Sequence, residues 1–458
     1  MRIVVVGGGI TGLAAALRLR ERVGDAADIV LIERSDRVGG KLRTAPFAGQ
    51  PVETGAETFL MREHGADSAV LDLVRRVGLG DDVINPAPAG AAIAVGGELR
   101  PIPAGTLLGI PTTSSNLDGL ATIADSDIDE GRPLLAPGED VAVGRLVRRR
   151  FGYDVVNQLV EPLLGGVYAG RADRLSLAAT VPGLFQTAQR ENTLDAAVRA
   201  AVAASGRVPG APVFGTVRGG LSRLVDAVAA AANVRILYGD PVRELARTSG
   251  RWRLVAGSTR DPRELVADAV VLAVPAFPAR RLLAGVDEGA AYEVAALDYA
   301  SVALVTMALP ADTELPELSG FLVPPAADRA VKAATFFTTK WPELRGDGGP
   351  VLVRASLGRY CDERVLQRSD DDLVALARHD LDELLGAPLP DPLAVRVNRW
   401  GGALPQYGVG HVERVARARA ALPPSLALAG AAYDGVGIAA CVRSGQTAAD
   451  AVAASLGG

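Results

Sequence analysis

The sequence predicts an α/β protein in which a nucleotide-binding domain built on a parallel sheet is interleaved with a mixed α+β domain and a helical insertion. Two patterns predict it. Residues 2–6 form an apolar run that leads directly into a glycine-rich turn and a helix, and a second strand, glycine turn and helix close the chain at 426–458. The 458 residues exceed what one ordinary core organises. With 49% hydrophobic and 22% charged residues the balance is that of a folded globular protein, which excludes a disordered chain.

Each element has a local reason. Consecutive apolar residues in Arg2–Val6 suit a parallel strand buried on both faces. The run enters Gly7-Gly8-Gly9-Ile10-Thr11-Gly12, where Gly7, Gly9 and Gly12 give the spacing GxGxxG. Residues 13–23 are rich in Ala, Leu and Arg, good helix formers, and residues 29–32 make a second apolar strand ending at Glu33, 21 residues after Gly12. This is a complete βαβ unit of the Rossmann type. In such a unit Gly7 permits the tight turn, Gly9 lets the backbone approach a pyrophosphate, Gly12 lets helix and strand pack closely, and the helix N-terminus offers unpaired N–H groups to phosphate. Glu33 is placed to accept hydrogen bonds from a ribose diol and would repel a 2′-phosphate, which disfavours NADP.

From 86 to 212 the texture changes to Pro-, Gly-, Ser- and Asp-rich stretches between helical patterns at 141–150, 155–164 and 193–204, with a break at Gly165-Gly166. That span reads as the helical insertion. Near 213 the first pattern resumes, with a helix at 221–232 and strands at 234–237, 241–245, 252–255 and 269–274. Residues 286–398 hold strands at 301–309 and 351–357 and a helix at 371–385, a separate mixed domain. At the end, residues 426–430 and the turn Gly435-Val436-Gly437-Ile438 make a second approach point for a phosphate-bearing ligand. The expected division is therefore 1–60, 213–285 and 399–458 for the nucleotide-binding domain, 61–85 and 286–398 for the substrate domain, and 86–212 for the insertion.

Composition narrows the partners. A net charge of −5 with mixed signs gives no general case for nucleic acid. Cys361 and Cys441 lie 80 residues apart, outside any metal-ligand or CxxC spacing, so neither a disulfide framework nor a metal site is expected. The N-terminus runs straight into a strand without the pattern of a signal peptide, and the apolar stretches fall far short of the roughly 20 residues that span a bilayer. A cytoplasmic protein is expected, with membrane contact at most peripheral.

Several motifs together resemble the flavin monoamine oxidase and porphyrinogen oxidase superfamily. The N-terminal GGGITGL with Glu33-Arg34-Ser35-Asp36-Arg37-Val38-Gly39-Gly40-Lys41 resembles its extended FAD signature, and Val52-Glu53-Thr54-Gly55-Ala56-Glu57-Thr58-Phe59 its next flavin-contacting turn. Three segments resemble the porphyrinogen oxidase branch: Pro103-Ala104-Gly105 with Gly109-Ile110-Pro111-Thr112, Glu161-Pro162-Leu163-Leu164-Gly165-Gly166-Val167-Tyr168-Ala169-Gly170, and Ala403-Leu404-Pro405-Gln406-Tyr407 with Gly410-His411. The resemblance covers nearly the whole chain, least at 113–140 and 311–350, and is strongest to the soluble type of Gram-positive bacteria that acts on coproporphyrinogen III. It implies an amine-oxidase-like fold and non-covalent FAD. The implied FAD contacts are Gly7, Gly9, Ile10, Thr11, Gly12, Glu33, Arg34, Gly39, Gly40, Lys41, Gly55, Ala56, Glu57, Thr58, Val242, Trp400, Gly430, Val436, Gly437 and Ile438. Arg62, Glu63, Val167 and Tyr168 are implied at the substrate pocket. The implied reaction is the O₂-dependent aromatisation of a tetrapyrrole in haem synthesis, in about three hydride transfers, with a ferrochelatase as the downstream partner.

Plainer readings stand beside these. Arg145, Arg148, Arg149 and Arg150 read first as a solvated helix face, with attraction of a tetracarboxylate as the functional alternative. His64, His379 and His411 pair with no nucleophile motif and read as structural, His411 as a packing or flavin-side residue. Cys441 follows the glycine turn rather than preceding it, so it reads as a buried small hydrophobe and not a covalent flavin anchor. No catalytic acid or base is named, because loss of hydride from a porphyrinogen bridge carbon is pushed by the pyrrole nitrogens. Rival readings are a protoporphyrinogen IX oxidase, an amine oxidase, which the 4% aromatic content disfavours, and a non-catalytic relative of the same fold.

Overall fold

The computed structural model describes residues 1–63, 65–206, 210–346 and 348–457. Its first large sheet is wholly parallel, in the order Arg235–Leu237, Asp28–Ile32, Arg2–Val6, Ala269–Leu272, Leu426–Leu428. Strands from three remote parts of the chain thus share one sheet. After Arg2 the first strand is apolar at every position because both faces are covered. Ile3 and Val5 pack with Leu13, Leu221, Leu224 and Val442 of three helices, whereas Val4 and Val6 pack with Trp252 and Leu254 of a three-stranded antiparallel sheet.

The second large sheet has seven strands in the order Glu98–Pro101, Ala91–Val95, Gly320–Leu322, Val331–Phe336, Val351–Leu357, Tyr299–Leu309, Ala394–Pro405. Alternation gives it two different faces. Ala303, Val305, Met307, Val353, Ala355 and Leu357 pack against Leu373, Ala377 and Leu381 of the helix Asp370–Leu385. The residues between them, Thr306, Arg354 and Ser356, point the other way, toward the nucleotide-binding half.

The sheet corrects two sequence expectations. Residues 91–101, expected in the helical insertion, form two of its strands, and residues 399–405, expected in the nucleotide-binding segment, complete its edge strand. The edge strand runs unbroken through Gly401-Gly402. Gly402, at φ +56°, lies opposite the irregular register at Ala300 and Val302. A third correction concerns Gly165-Gly166, which lies inside the helix Glu161–Tyr168; the chain turns at Ala169, in the left-handed region at φ +49°. The helices between 143 and 204 share their own core, with Leu146, Phe151, Leu159, Leu164, Leu184 and Val198 buried together. Ser176 and Thr193 cap helices by accepting from the N–H groups of Ala179 and Ala196. No helix among the described residues is long and apolar enough to cross a membrane.

Glu57 ties the two halves together. Its buried carboxylate accepts from Trp341 Nε1 at 2.8 Å and Arg354 Nη2 at 2.6 Å, and it pairs with Lys340 Nζ at 2.7 Å. Burial alone would push this carboxyl up, but Lys340 and Arg354 outweigh burial and hold it at about 2. Because that value lies below the ordinary glutamate value of about 4.3, the stabilisation is complete above about pH 4.3 and is lost as pH falls toward 2. Replacing Glu57 with Ala strands two cations and is expected to cost about 3–5 kcal/mol. Urea unfolding of the flavin-free protein checks this. A midpoint equal to wild type would show that the network carries no such energy.

Candidate active site

The site grows from two glycine turns. At the first, some glycines are demanded by the fold itself. Gly7 has φ +107°, and an added Cβ would overlap the Ala273 carbonyl oxygen; at Gly12 a Cβ would overlap the Gly7 carbonyl oxygen. Gly9 is different. Its φ of −68° and ψ of 173° suit any residue, and an added Cβ would meet no protein atom within 4 Å. It precedes the helix Ile10–Val23, whose first N–H groups have no side-chain cap. Gly9 therefore leaves open space directly beside an uncapped helix end, where an anionic ligand can approach.

The second turn repeats this arrangement. Gly437 precedes the helix Ile438–Leu456 with φ −64° and ψ 148°, an added Cβ would again meet nothing within 4 Å, and no side chain caps the helix. The two helices touch where Gly445 meets Thr11, too closely for any Cβ on residue 445. Gly445 lies seven residues into its helix, so the two N-termini sit on the order of 10 Å apart. Together they form an extended cradle with two anion-favouring ends.

Other predicted residues line this cradle or brace it. Glu33 accepts from Gly8 N at 2.7 Å and from Ser35 N at 2.9 Å, so it braces the first turn. Gly39 N donates to Gly8 O at 2.7 Å and Gly40 packs against Gly9, closing the turn from above. Val242 lies two residues beyond Asp240, whose N–H reaches Glu33 O at 3.1 Å. The Lys41 ammonium makes no hydrogen bond or ion pair among the described residues, and burial pushes it below the usual lysine range. Ala56 N donates to Lys41 O at 3.0 Å, and Trp400 Nε1 donates to Thr54 O at 2.6 Å, fixing the Gly55–Thr58 turn beneath the indole. The Glu57 carboxylate is taken up by its three partners, so this turn offers a ligand its backbone rather than that side chain. Ile10, Thr11 and Ile438 are buried in the first core, Val436 is partly buried, and Arg34 is exposed. Gly430 N donates to Ser444 Oγ at 2.8 Å beside Thr11.

The pocket residues divide. Tyr168 is buried, meets Tyr407 edge-on at 5.6 Å, and accepts at its backbone carbonyl from Gln406 Nε2 at 2.8 Å, so two motifs more than 200 positions apart form one wall. Val167 is 42% exposed. Glu63 is held by Arg443 at 2.7 and 3.2 Å, and Arg62 donates to Gly65 O. His411 stacks on Tyr407 at 4.4 Å, and burial pushes it down to about 4, which keeps it neutral. His379 is exposed beside Glu383, and His64 lies outside the described residues. Cys441 is buried with Sγ 3.6 Å from Gly435 O, and burial pushes its thiol up, away from the reactive thiolate. The basic run is not one solvated face: Arg150 is buried and donates to Ile128 O, and Arg148 grips Asp173 with two bonds of 2.7 Å, leaving Arg145 and Arg149 exposed. Sequence reasoning missed Lys340, Trp341 and Arg354 as partners of Glu57, since no local pattern links positions so far apart.

A parallel sheet whose strand ends carry two uncapped helix N-termini, each preceded by an unobstructed glycine, has the form of a phosphate-bearing cofactor's site. The family model for flavin containing amine oxidoreductase matches residues 10–453, and the chain belongs to that family. Its cofactor is a flavin. Among similar proteins, the coproporphyrinogen III oxidase of Mycobacterium tuberculosis is 40% identical over 99% of this chain and 97% of its own length. The chloroplastic protoporphyrinogen oxidase 1 of Arabidopsis thaliana is 28% identical over 96% of this chain and 86% of its own. The crystal structure of an Exiguobacterium sp. 255-15 protein, provisionally assigned as a protoporphyrinogen oxidase, superposes with a TM-score of 0.85 at 32% identity over 99% of both chains.

The cradle gives a discriminating test. Gly9→Ala and Gly437→Ala are expected to fold with the thermal midpoint of the flavin-free wild type, within the spread of about 0.5 kcal/mol of neutral substitutions, yet to lose flavin affinity at least tenfold. Gly12→Ala is expected to destabilise the fold outright. Calorimetry of the apoproteins and flavin absorbance after reconstitution separate the three, and full flavin binding by Gly9→Ala would remove the cradle assignment.

Proposed function

We propose that this protein is an FAD-dependent oxidase that converts coproporphyrinogen III to coproporphyrin III with O₂ as acceptor, in haem synthesis, and that it holds FAD without a covalent link. The observation that carries the reading is the full-length match to a coproporphyrinogen III oxidase, joined to a cradle whose two ends suit a dinucleotide rather than a mononucleotide. Glu33 supports FAD through its placement for a ribose diol. A non-covalent cofactor is supported by Cys441, which is buried, un-ionised and turned toward Gly435 O.

A bound flavin supplies hydride acceptance from a bridge carbon and reoxidation by O₂ to give H₂O₂. What the chain supplies is position and dryness. The Gly7–Gly12 turn and the two helix ends would hold the cofactor, and Trp400 braces the turn at residues 54–58. Tyr168, Tyr407 and neutral His411 present an apolar wall that takes no proton near neutrality: burial pushes Tyr168 up to about 12 and His411 down to about 4. That suits a substrate whose own nitrogens push the hydride out, and asks of the protein only orientation and exclusion of water.

Anaerobic mixing with coproporphyrinogen III is expected to bleach the flavin absorbance, and admission of air to restore it as peroxide and porphyrin fluorescence appear. Coproporphyrinogen III, with four propionates, is expected to exceed protoporphyrinogen IX, with two, by about two- to thirtyfold in kcat/KM at low salt, since each exposed charge pair contributes about 0.2–1 kcal/mol. The margin should shrink as salt rises. Bleaching by neither porphyrinogen sinks the oxidase reading; equal kcat/KM for both removes only the coproporphyrinogen preference.

A further inference from the structure

The second sheet turns a polar, buried face toward the flavin cradle, and that face is incomplete. Cross-strand pairing sets Ala333, Ser356, Leu304 and Asn398 in one row and Thr335, Arg354, Thr306 and Arg396 in the next. Arg354 is spoken for by Glu57, but Asn398 Oδ1 is buried with no partner, and neither Ser356 nor Thr306 makes a side-chain hydrogen bond among the described residues. Lys332 stands beside this row, at the irregular register between Val331 and Ala333. It is only 7% exposed, and no acceptor or carboxylate among the described residues reaches it.

The neighbours of Lys332 make its isolation costly. The charges acting on it are the guanidiniums of Arg354 and Arg359, both repulsive. Arg359 is satisfied by the carbonyls of Arg329, Val323 and Val331, and Arg354 by Glu57, so Lys332 alone among the three has no counterpart. Burial, with Arg359 and Arg354 adding to it, pushes its ammonium down to about 7. An unpaired buried cation is retained at the expense of stability and marks a place where a ligand anion completes the structure.

We propose that Lys332 is a substrate-positioning residue that receives a propionate carboxylate of the tetrapyrrole, with Ser356 of the adjoining strand as its polar neighbour. The inference rests on the porphyrinogen reading and assigns one carboxylate contact within it. A macrocycle between this face and the flavin cradle places its apolar body against Leu304 and Trp400 and its acidic rim toward Lys332.

The test compares Lys332→Met and Lys332→Arg, both flavin-loaded, with wild type. For Lys332→Met, KM for coproporphyrinogen III and Kd for coproporphyrin III, read by porphyrin fluorescence, should rise by about tenfold to a hundredfold, with kcat within about threefold and flavin content unchanged. Lys332→Arg, which keeps the charge, should restore most of the affinity. Removal of an unpaired buried charge should also raise the melting midpoint of Lys332→Met by about 1–4 °C, a gain that a merely structural lysine would not give. Wild-type KM and Kd in Lys332→Met overturn the inference. So does a variant that melts below wild type and sheds flavin, since the lysine would then serve the fold. Absence of turnover by the wild type would instead sink the porphyrinogen oxidase reading itself.

Discussion

The approach of the last helix to the first, at Gly445 against Thr11, is the constraint on which the rest of the site depends. The backbones meet there with no room for a Cβ, so the last helix is laid across the glycine turn made at the start of the chain. That contact brings two uncapped N-termini into one neighbourhood. It also explains why the chain must return to its first sheet after a long excursion. The strand Leu426–Leu428 pairs with Ala269–Leu272, and only from there can the helix Ile438–Leu456 reach Thr11.

The second dependence is electrostatic. Excursion and return produce two sheets that meet through an ion network set beside a small apolar seam of Phe47, Val52, Ala308, Phe337, Trp341 and Leu352. Glu57 with Lys340, Trp341 and Arg354 is almost wholly buried, and networks of this kind contribute through completeness: each member is expensive alone and tolerable only with its partners. Fixing Glu57 also fixes the turn at residues 54–58, which Trp400 grips from the far edge of the second sheet. Sheet, turn and cradle are therefore positioned as one unit.

What could be read from the sequence follows from which interactions are local. The helix expected at 221–232 and the strand at 351–357 have those bounds, because apolar spacing and flanking glycines decide them within a few residues. The strand expected at 241–245 instead spans Glu244–Thr248, since its register is set by the hairpin turn at Ser249 and Gly250 and not by its own apolar residues. Residues 91–95 carried too short a signal, and their partner strand Gly320–Leu322 comes from a remote segment. The same division holds in the site. Gly9, Glu33 and Gly437 are legible because the strand, glycine turn and helix patterns that contain them are local spacings. The partners of Glu57 and the isolation of Lys332 are products of tertiary pairing, and no window of sequence contains them.

Glycines and lysines give the same lesson about function when the fold's own needs are subtracted. Gly7, Gly12 and Gly445 are explained by the protein, because neighbouring backbone atoms occupy the space a side chain would take. Gly9 and Gly437 are not; their dihedral angles are ordinary and their surroundings vacant of protein atoms. Likewise Lys340 is explained by Glu57, whereas Lys41 and Lys332 are largely buried with no anion beside them. A chain selected for stability alone would fill the first kind of space and neutralise the second kind of charge. That it does neither, along the cradle and on the sheet face opposite, locates the ligand by the two things it must bring: bulk against the glycine turns and negative charge toward the lysines.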